Sequence, residues 1–247
     1  MIERLRTRFL EKVWGSTQLE PWFPNSNKKI GEVWFEADHP LPLLVKFLFT
    51  TEPLSVQVHP EGKTEMWHIL AAEPGARIAA GFLEPISKER LRSSALSGEI
   101  EELLQWHEAR PGDTFFIPAG TVHAIGAGLT LCEIQQVSDV TYRLYDYGRP
   151  RELHLDQAAE VSDLGPFAAR QSASEGVLVS CKHFTTEKLE VNGRLRWQPP
   201  DRGQMLIVLE GALDIAGKRS QQGEAWYASE ESSGIYVNGQ ATVLLTS

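Results

Sequence analysis

The sequence predicts an all-β protein made of two β-rich halves, the first of which carries one helical insertion. Short runs rich in Val, Ile, Phe, Thr and Tyr recur between residues 45 and 145, and each run is bounded by Pro, Gly or Asp. This spacing is typical of a β-sandwich or a β-barrel. The predicted strands are residues 45–49, 54–59, 66–70, 77–82, 114–117, 130–135 and 141–145.

One segment of the first half has the periodicity of a helix. Between residues 87 and 106, Leu and Ile recur at near-helical intervals. Ser87, followed by Glu89 and Arg90, is typical of the first turn of a helix. We therefore expect an amphipathic helix inserted at about residues 86–106.

The second half of the chain is also rich in predicted strands. From residue 177 to residue 245, segments such as EKLEVNG and GQMLIVLEGALDIAG are separated by turns that contain Gly. Residues 162–174, between the halves, are rich in Gly, Pro, Ala and Ser and have little strand pattern. We expect a boundary near residues 165–174, with one domain at residues 1–165 and a smaller β domain at residues 170–247.

Composition and charge exclude several classes of function. The 247 residues include 24 Lys and Arg against 33 Asp and Glu, a formal net charge of −9 at pH 7, so no broad basic field is available for nucleic acid. No apolar run approaches the roughly 18 residues of a membrane span. Cys132 and Cys181 are the only cysteines. Their number and spacing favour a reducing compartment, so we expect a cytoplasmic protein with no membrane partner.

Two segments carry most of the candidate metal ligands. In LSVQVHPEGKTEMWHIL, Gln57 and His59 lie two residues apart on a predicted strand and therefore project to the same face, and Glu65 begins the next strand. In PGDTFFIPAGTVHAIG, a tight turn around Gly120 precedes His123. If these strands lie together in one barrel, their side chains form a metal site.

The second of these segments matches the cupin pattern Gx5PxGx2H through His123, whereas Gln57 occupies the place of the first His in the other cupin motif. LSVQVHP, GKTE, PAGTVHAIG and EIQQVSDVTYRLYDYGR together resemble type I phosphomannose isomerases. The segments GEVWFEA, PLLVKFL and RELHLDQA resemble the same family, so the likeness covers about residues 10–160. It implies a fold of two cupin-like (jelly-roll) barrels. GEAWYASEESSGIYV contains neither PxG nor His, so we expect the second barrel to bind no metal.

The resemblance implies one zinc ion per chain and the interconversion of mannose 6-phosphate and fructose 6-phosphate. The implied ligands are Gln57, His59, Glu65 and His123. Imidazole, carboxylate and amide groups suit Zn²⁺, which keeps an open position when it acts as a Lewis acid. An amide is a weak ligand, and the alternative role for Gln57 is a hydrogen bond to the substrate.

Four further residues are candidates for binding the sugar phosphate. Lys46 interrupts the apolar run LLVKFLF, where a buried ammonium needs a polar cavity or a partner. Ser55 lies two residues before Gln57 and projects to the same face. Lys63 and Arg143 match basic positions of the resembled family. Without the resemblance, Lys63 and Arg143 would be interpreted as ordinary surface charges, whereas Lys46 is distinguished by its place in an apolar strand.

Aldose–ketose isomerisation moves a proton between C1 and C2 through an enediolate, so it requires a base and a group that stabilises the oxyanion. Arg143 suits the second role because its planar guanidinium is always charged. Glu133, Lys63 and Asp139 are the acid–base candidates, and the sequence does not rank them. A structural ion pair between Glu133 and Arg143 is the alternative.

Two other functions remain open from the sequence. A cupin oxygenase would use Fe²⁺ with open coordination positions. A non-catalytic sugar-binding cupin would bind a ligand without turnover, and would not need both Glu133 and Arg143. If the protein is an isomerase, its binding partner is a small phosphorylated sugar, and we expect the protein to be a monomer.

Overall fold

A computed structural model describes residues 1–167 and 176–247, in which antiparallel strands predominate over three short helices. No helix in these residues is long and apolar enough to cross a lipid bilayer.

The elements up to residue 82 are β1 (Ile2–Arg4), β2 (Arg6–Ser16), β3 (Ile30–Glu36), β4 (Leu44–Thr50), β5 (Val56–Val58), β6 (Glu65–Ala72) and β7 (Arg77–Phe82). Those of residues 88–161 are α1 (Lys88–Ser97), α2 (Ile100–Leu103), β8 (Leu104–Glu108), β9 (Thr114–Ile117), β10 (His123–Ile125), β11 (Leu129–Gln135), β12 (Tyr142–Tyr145) and α3 (Leu155–Val161). Those of residues 177–246 are β13 (Val177–Ser180), β14 (Thr185–Trp197), β15 (Gln204–Ile215), β16 (Lys218–Gln221), β17 (Ala225–Ala228) and β18 (Ile235–Thr246).

Two antiparallel sheets form most of the first half. A six-stranded sheet, which we call the central sheet, has the order β2-β3-β4-β11-β6-β9. A five-stranded sheet, the outer sheet, has the order β12-β5-β10-β7-β8. Side chains of both sheets share one apolar cluster, to which β4 contributes Leu48, β6 contributes Trp67 and β7 contributes Ile78. The two sheets therefore pack on each other through buried apolar side chains.

Strand β4 is buried on both of its faces. Val45, Phe47 and Phe49 belong to an apolar cluster that also contains Ile207 of the second half. Lys46 projects to the opposite face, because side chains alternate along a strand. Burial on both faces explains the nearly continuous apolar run of β4, and it places the one charged residue of that run toward the outer sheet.

The second half is built on a seven-stranded antiparallel sheet with the order β1-β17-β15-β18-β14-β13, in which β16 also pairs with β15. Strand β1 belongs to this sheet, with Ile2 paired to Ala228 and Arg4 to Trp226. The first residues of the chain thus complete the sheet of the second half. The two-barrel arrangement and the domain limits of 1–165 and 170–247 remain predictions, and residues 168–174 of the predicted boundary lie outside the described residues.

The predicted mostly β fold is confirmed, and all seven strands predicted in the first half are present with ends within two residues of those expected. The single helix predicted for residues 87–106 is wrong in its C-terminal part. Gly98 adopts a positive φ of 85° and ends α1, after which the short helix α2 ends at Leu103. Residues 104–108 form β8, which pairs with β7. Hydrogen bonding to the edge of the outer sheet thus overrides the local helical pattern.

Candidate metal centre and its cavity

The candidate ligands are brought together by the ends of strands in both sheets. His123 begins β10, where its backbone pairs with Gln57 of β5. His59 follows β5 directly, and Glu65 begins β6 in the central sheet. Gly120 adopts a φ of 89° in the turn before β10, and its N–H donates to the carbonyl of His59 at 2.8 Å. This turn fixes the two histidine-bearing segments side by side.

His59, Glu65 and His123 form a compact buried cluster. One ligand atom from each residue lies within 4.8 Å of the others. Nε2 of His59 is 3.4 Å from one carboxylate oxygen of Glu65, and Nε2 of His123 is 3.6 Å from the other. Each side chain is 1% exposed, so bulk water does not screen the cluster. The predicted convergence of these three residues is therefore present in the structure.

Backbone carbonyls orient both imidazole rings. Nδ1 of His59 lies 3.0 Å from the carbonyl of Val140, and Nδ1 of His123 lies 2.8 Å from that of Thr121. A carbonyl only accepts hydrogen bonds, so each Nδ1 carries a proton and donates it. In the neutral ring, Nε2 then presents its lone pair toward Glu65. A hydrogen bond from the ring nitrogen that does not bind the metal commonly fixes the orientation of metal-ligating histidines.

The protonation states of the two histidines and the unpaired atoms of the cluster fit a cation. Burial lowers the pKa of His123 to about 4, and burial together with the nearby His123 and Lys63 lowers the pKa of His59 well below its ordinary value. Both rings are therefore neutral at pH 7 and able to bind a metal. Nε2 of His59 and one carboxylate oxygen of Glu65 are buried without a hydrogen-bond partner. Buried polar atoms are rarely left unpaired, and this nitrogen and oxygen donor set suits a divalent metal such as zinc.

Gln57 lies beside the cluster and contacts it through its amide. The amide nitrogen is 3.3 Å from Nε2 of His123, and the amide oxygen accepts a hydrogen bond from the Ser55 hydroxyl at 3.0 Å. Rotation of the amide would exchange its oxygen and nitrogen at little steric cost. Gln57 is therefore close enough to take part in the site, and its role as a ligand stays a prediction.

A cavity of about 360 Å³ adjoins the cluster. Two of the cluster residues, His59 and Glu65, form part of its wall. His68, three residues after Glu65 on β6, does not line the cavity and instead contacts the Thr114 hydroxyl at 2.9 Å. The other predicted site residues that line the cavity are Lys46, Ser55, Gln57, Lys63, Glu133, Asp139 and Arg143.

Lys46 and Glu133 form a buried ion pair at the cavity wall. Their Nζ and Oε1 atoms are 2.6 Å apart, and the side chains are 9% and 6% exposed. Burial favours the neutral form of each, but the opposite charge outweighs burial in both cases. The pKa of Lys46 is raised and that of Glu133 is lowered. Glu133 thus pairs with Lys46, and the alternative of a structural Glu133–Arg143 ion pair is wrong.

Lys63 lies between the cluster and the loop that precedes β12. Its Nζ is 4.0 Å from a Glu65 oxygen and 3.3 Å from the Thr141 hydroxyl. Burial lowers the pKa of Lys63, although the charge of Glu65 opposes the shift. A lysine with a lowered pKa exchanges its proton more readily near neutral pH, as an acid–base group requires.

Arg143 on β12 lies next to the candidate ligands, with its backbone paired to Gln57 of β5. Its Nη1 donates to the carbonyl of Glu152 at 3.2 Å, and no carboxylate among the described residues forms an ion pair with its guanidinium. Burial, and then the charge of Arg151, lowers the pKa of Arg143. The guanidinium remains charged, so it can accept an anion without first breaking an ion pair.

Three charged residues of the cavity wall, Glu32, Lys12 and Arg151, were not assigned from the sequence, whereas Trp34 was expected close to the wall and does line it. Glu32 and Trp34 lie two apart on β3, and the Trp34 indole N–H donates to Glu32 at 2.7 Å. Because side chains alternate along a strand, the segment GEVWFE could have shown that Glu32 and Trp34 share one face. The remaining two are Lys12, on β2, and Arg151, in the segment after β12.

Comparison with known proteins shows one family. No family model matches the chain. The mannose-6-phosphate isomerase of Streptococcus mutans is 32% identical over 84% of this chain and 84% of its own length. The crystal structure of the mannose 6-phosphate isomerase from Bacillus subtilis has a TM-score of 0.85 at 26% identity and covers 99% of this chain and 98% of its own. A zinc-bound mannose 6-phosphate isomerase shares the fold at a TM-score of 0.75 and 15% identity, and covers 99% and 98%. A relative of this identity and coverage, together with the shared fold, places the chain among the aldose–ketose isomerases: it belongs to the mannose-6-phosphate isomerase family.

Proposed function

We propose that this protein interconverts mannose 6-phosphate and fructose 6-phosphate, and that it does so with a zinc ion. One observation carries the proposal: the buried His59–Glu65–His123 cluster adjoins a cavity lined by Lys63 and Glu133. A sugar phosphate isomerase needs this combination of a metal-binding donor set with acid, base and cationic groups.

The metal would be held by His59, Glu65 and His123, with Gln57 as a fourth residue. The unpaired Nε2 of His59 and the unpaired oxygen of Glu65 support this assignment. When bound, Zn²⁺ supplies Lewis acidity that polarises substrate oxygens. The carbonyls of Val140 and Thr121 keep the two rings oriented for that role.

Glu133, Lys63 and Asp139 are the groups proposed to move the proton between C1 and C2. Burial raises the pKa of Glu133, but the charge of Lys46 outweighs burial and the net pKa is lowered. Glu133 is therefore ionised and can accept a proton. Lys63, whose pKa is lowered by burial, can return one to the adjacent carbon or oxygen. Arg143 stabilises the oxyanion of the enediolate through its charged planar fork.

The remaining polar groups of the wall bind the substrate. Ser55, Lys46 and Lys63 line the same cavity as Arg143 and offer contacts to sugar hydroxyls and to the phosphate. Because the chain carries a net charge of −9, the affinity for a phosphorylated sugar rests on these local cations rather than on the overall field.

A coupled assay tests the proposal. The purified protein is given mannose 6-phosphate, and the formation of fructose 6-phosphate is followed before and after treatment with a chelator. We expect conversion that the chelator abolishes. Oxygen consumption without fructose 6-phosphate would support the iron oxygenase, and binding of mannose 6-phosphate without either reaction would support the non-catalytic binding protein.

A further inference from the structure

The loop of residues 136–141, which we call the β11–β12 loop, contacts the segment that carries two of the candidate ligands. The carbonyl of Val140 accepts a hydrogen bond from Nδ1 of His59 at 3.0 Å. The hydroxyl of Thr141 accepts one from Nζ of Lys63 at 3.3 Å. The conformation of this loop therefore sets the orientation of one candidate metal ligand and of one candidate acid–base group.

Apolar packing does not hold the β11–β12 loop in place. Val137 is 65% exposed and Val140 is 42% exposed. A loop with few buried apolar contacts opens at little cost in free energy unless polar contacts fix it. Gln136 fixes the beginning of the loop, because its N–H donates to the carbonyl of Thr64 at 3.1 Å and its Oε1 accepts from the Thr64 N–H at 3.0 Å. Residues 137–140 need a further contact.

Gln135, the last residue of β11, supplies that contact. Its Nε2 donates to the carbonyl of Gln136 at 3.0 Å and to that of Ser138 at 2.6 Å. Among the described residues, no other side chain from outside the loop forms a hydrogen bond with residues 137–139. The Ser138 hydroxyl in turn accepts the N–H of Val140 at 3.4 Å. The amide of Gln135 is thus linked to the residue whose carbonyl orients the imidazole.

The burial of Gln135 is costly for the protein. The side chain is fully buried, and it shares a face of the central sheet with its cross-strand neighbour Glu65. Carbonyls only accept hydrogen bonds, so the amide nitrogen must point to the loop, and Oε1 is then buried without a partner. A buried polar atom without a partner costs free energy that an apolar side chain would not. Stability alone therefore does not favour Gln at this position.

We propose that Gln135 is a positioning residue, which holds the β11–β12 loop so that the Val140 carbonyl keeps the His59 imidazole oriented toward the metal. The inference rests on the proposed function, because it takes His59 as a ligand. Without the two donors of Gln135, the loop can move away from His59. The ring then gains freedom to rotate and to carry its proton on Nε2, the atom that must be unprotonated to bind a metal.

The zinc affinity of the full chain tests this role. It is measured by competition with a chromophoric chelator. Gln135→Met keeps the approximate size of the side chain but removes both donors, so the affinity should fall by about tenfold or more, the usual effect of losing a group that orients a ligand. The control is Ile134→Val, at a buried residue in the same strand that projects to the opposite face, and its affinity should stay within about threefold. Wild-type affinity in Gln135→Met, or equal losses in both variants, would overturn the proposal.

NMR spectroscopy of the imidazole nitrogens gives a second readout, which a general loss of stability would not move. In the metal-depleted wild type, His59 should carry its proton on Nδ1, and in Gln135→Met it should populate both tautomers. His123 is the internal control, because its Nδ1 donates to the carbonyl of Thr121, outside the loop. It should keep one tautomer in both proteins. An unchanged His59 signal, or equal changes at the two histidines, would contradict the proposal.

Two provisions keep the outcome clear. If Gln135→Met does not fold, Gln135→Asn replaces it. The shorter amide reaches Ser138 less well, so the same changes should appear at a smaller size, and their absence would overturn the proposal. Neither readout depends on turnover. Both changes in a protein that does not convert mannose 6-phosphate would disprove the proposed function alone, whereas conversion by the wild type with neither change in the variant would disprove the present inference alone.

Discussion

Lys46 and Glu133 face each other across β4 and β11 as cross-strand neighbours, and their charged atoms are 2.6 Å apart inside the central sheet. A buried ion pair of this kind adds little net stability over an apolar pair, but the loss of one partner leaves the other charge unbalanced in a buried place. The stability of the central sheet therefore depends on keeping both charges of this pair in the cavity wall.

The first prediction concerns this coupling. Lys46→Met and Glu133→Gln should each lower the free energy of unfolding by about 3 kcal/mol, and the double variant should lose clearly less than the sum. Urea denaturation of the four proteins measures the coupling. The control is Lys28→Met, because Lys28 pairs with Glu11 on the surface and should cost less than about 1 kcal/mol. Strict additivity of the two buried changes would contradict the prediction.

The second prediction concerns the metal. His59→Ala and His123→Ala should each abolish stoichiometric zinc and activity, because each removes one of the few donors of a buried site. Gln57→Ala should weaken both to a smaller extent. Elemental analysis of the dialysed proteins measures the zinc content, and His39→Ala, at a partly exposed histidine outside the cavity, serves as the control. Full zinc content in His123→Ala would remove His123 from the ligand set.

The third prediction separates charge from shape at Arg143. Arg143→Lys keeps a positive charge but loses the planar fork, so kcat should fall by about a hundredfold or more while zinc stays bound. Steady-state kinetics and metal analysis on the same sample check both parts. Glu133→Gln should also slow turnover. Near-normal turnover in Arg143→Lys would give Arg143 a structural role instead.

The fourth prediction concerns the dependence of stability on pH. Burial lowers the pKa of His68 from 6.5 to about 4. Between these two values, the unfolded chain binds a proton at His68 that the folded chain does not bind, so stability falls as the pH falls. His68→Gln removes this proton difference. As the pH falls from 6.5 to 4, the free energy of unfolding of His68→Gln should therefore fall less steeply than that of the wild type. The two slopes should differ by up to about 1.4 kcal/mol per pH unit.

His39 gives a control of opposite sign for the same experiment. A hydrogen bond to Glu3 raises the pKa of this partly exposed histidine. The folded chain thus holds that proton more tightly than the unfolded chain, so its contribution to stability is present at low pH and is lost as the pH rises through the folded pKa. Denaturation of His39→Gln across the same pH range should not show the flattening expected for His68→Gln. Identical pH profiles of the wild type and His68→Gln would contradict the prediction.

Two histidines of the cluster and the neighbouring Gln57 could be predicted because local geometry fixes their positions. Gln57 and His59 follow from the alternation of one strand, and His123 follows from the Gly120 turn, which requires a positive φ. Lys46 was identifiable because a charge interrupts an apolar run. In each case, a short segment determines where the side chain projects, so the sequence signal and the structural position agree.

Other features depend on contacts between distant segments, which local patterns do not record. Residues 104–108 have a helical pattern but form β8, because the edge of β7 offers a partner for their backbone. Strand β1 has only three residues and joins a sheet built from the second half of the chain. Arg151 reaches the cavity from the segment after β12, where Asp146 holds it. Tertiary pairing determines all three positions.

Titration of the metal-depleted protein with zinc tests the central claim most directly. The protein is treated with a chelator, freed of it, and supplied with increasing amounts of Zn²⁺ while the conversion of mannose 6-phosphate is measured. We predict that activity is absent at first, rises in proportion to the zinc added and reaches its limit at about one zinc ion per chain, because the chain offers one buried His and Glu cluster of this kind among its described residues. Full activity in the depleted protein, or no conversion at any zinc content, would contradict the account.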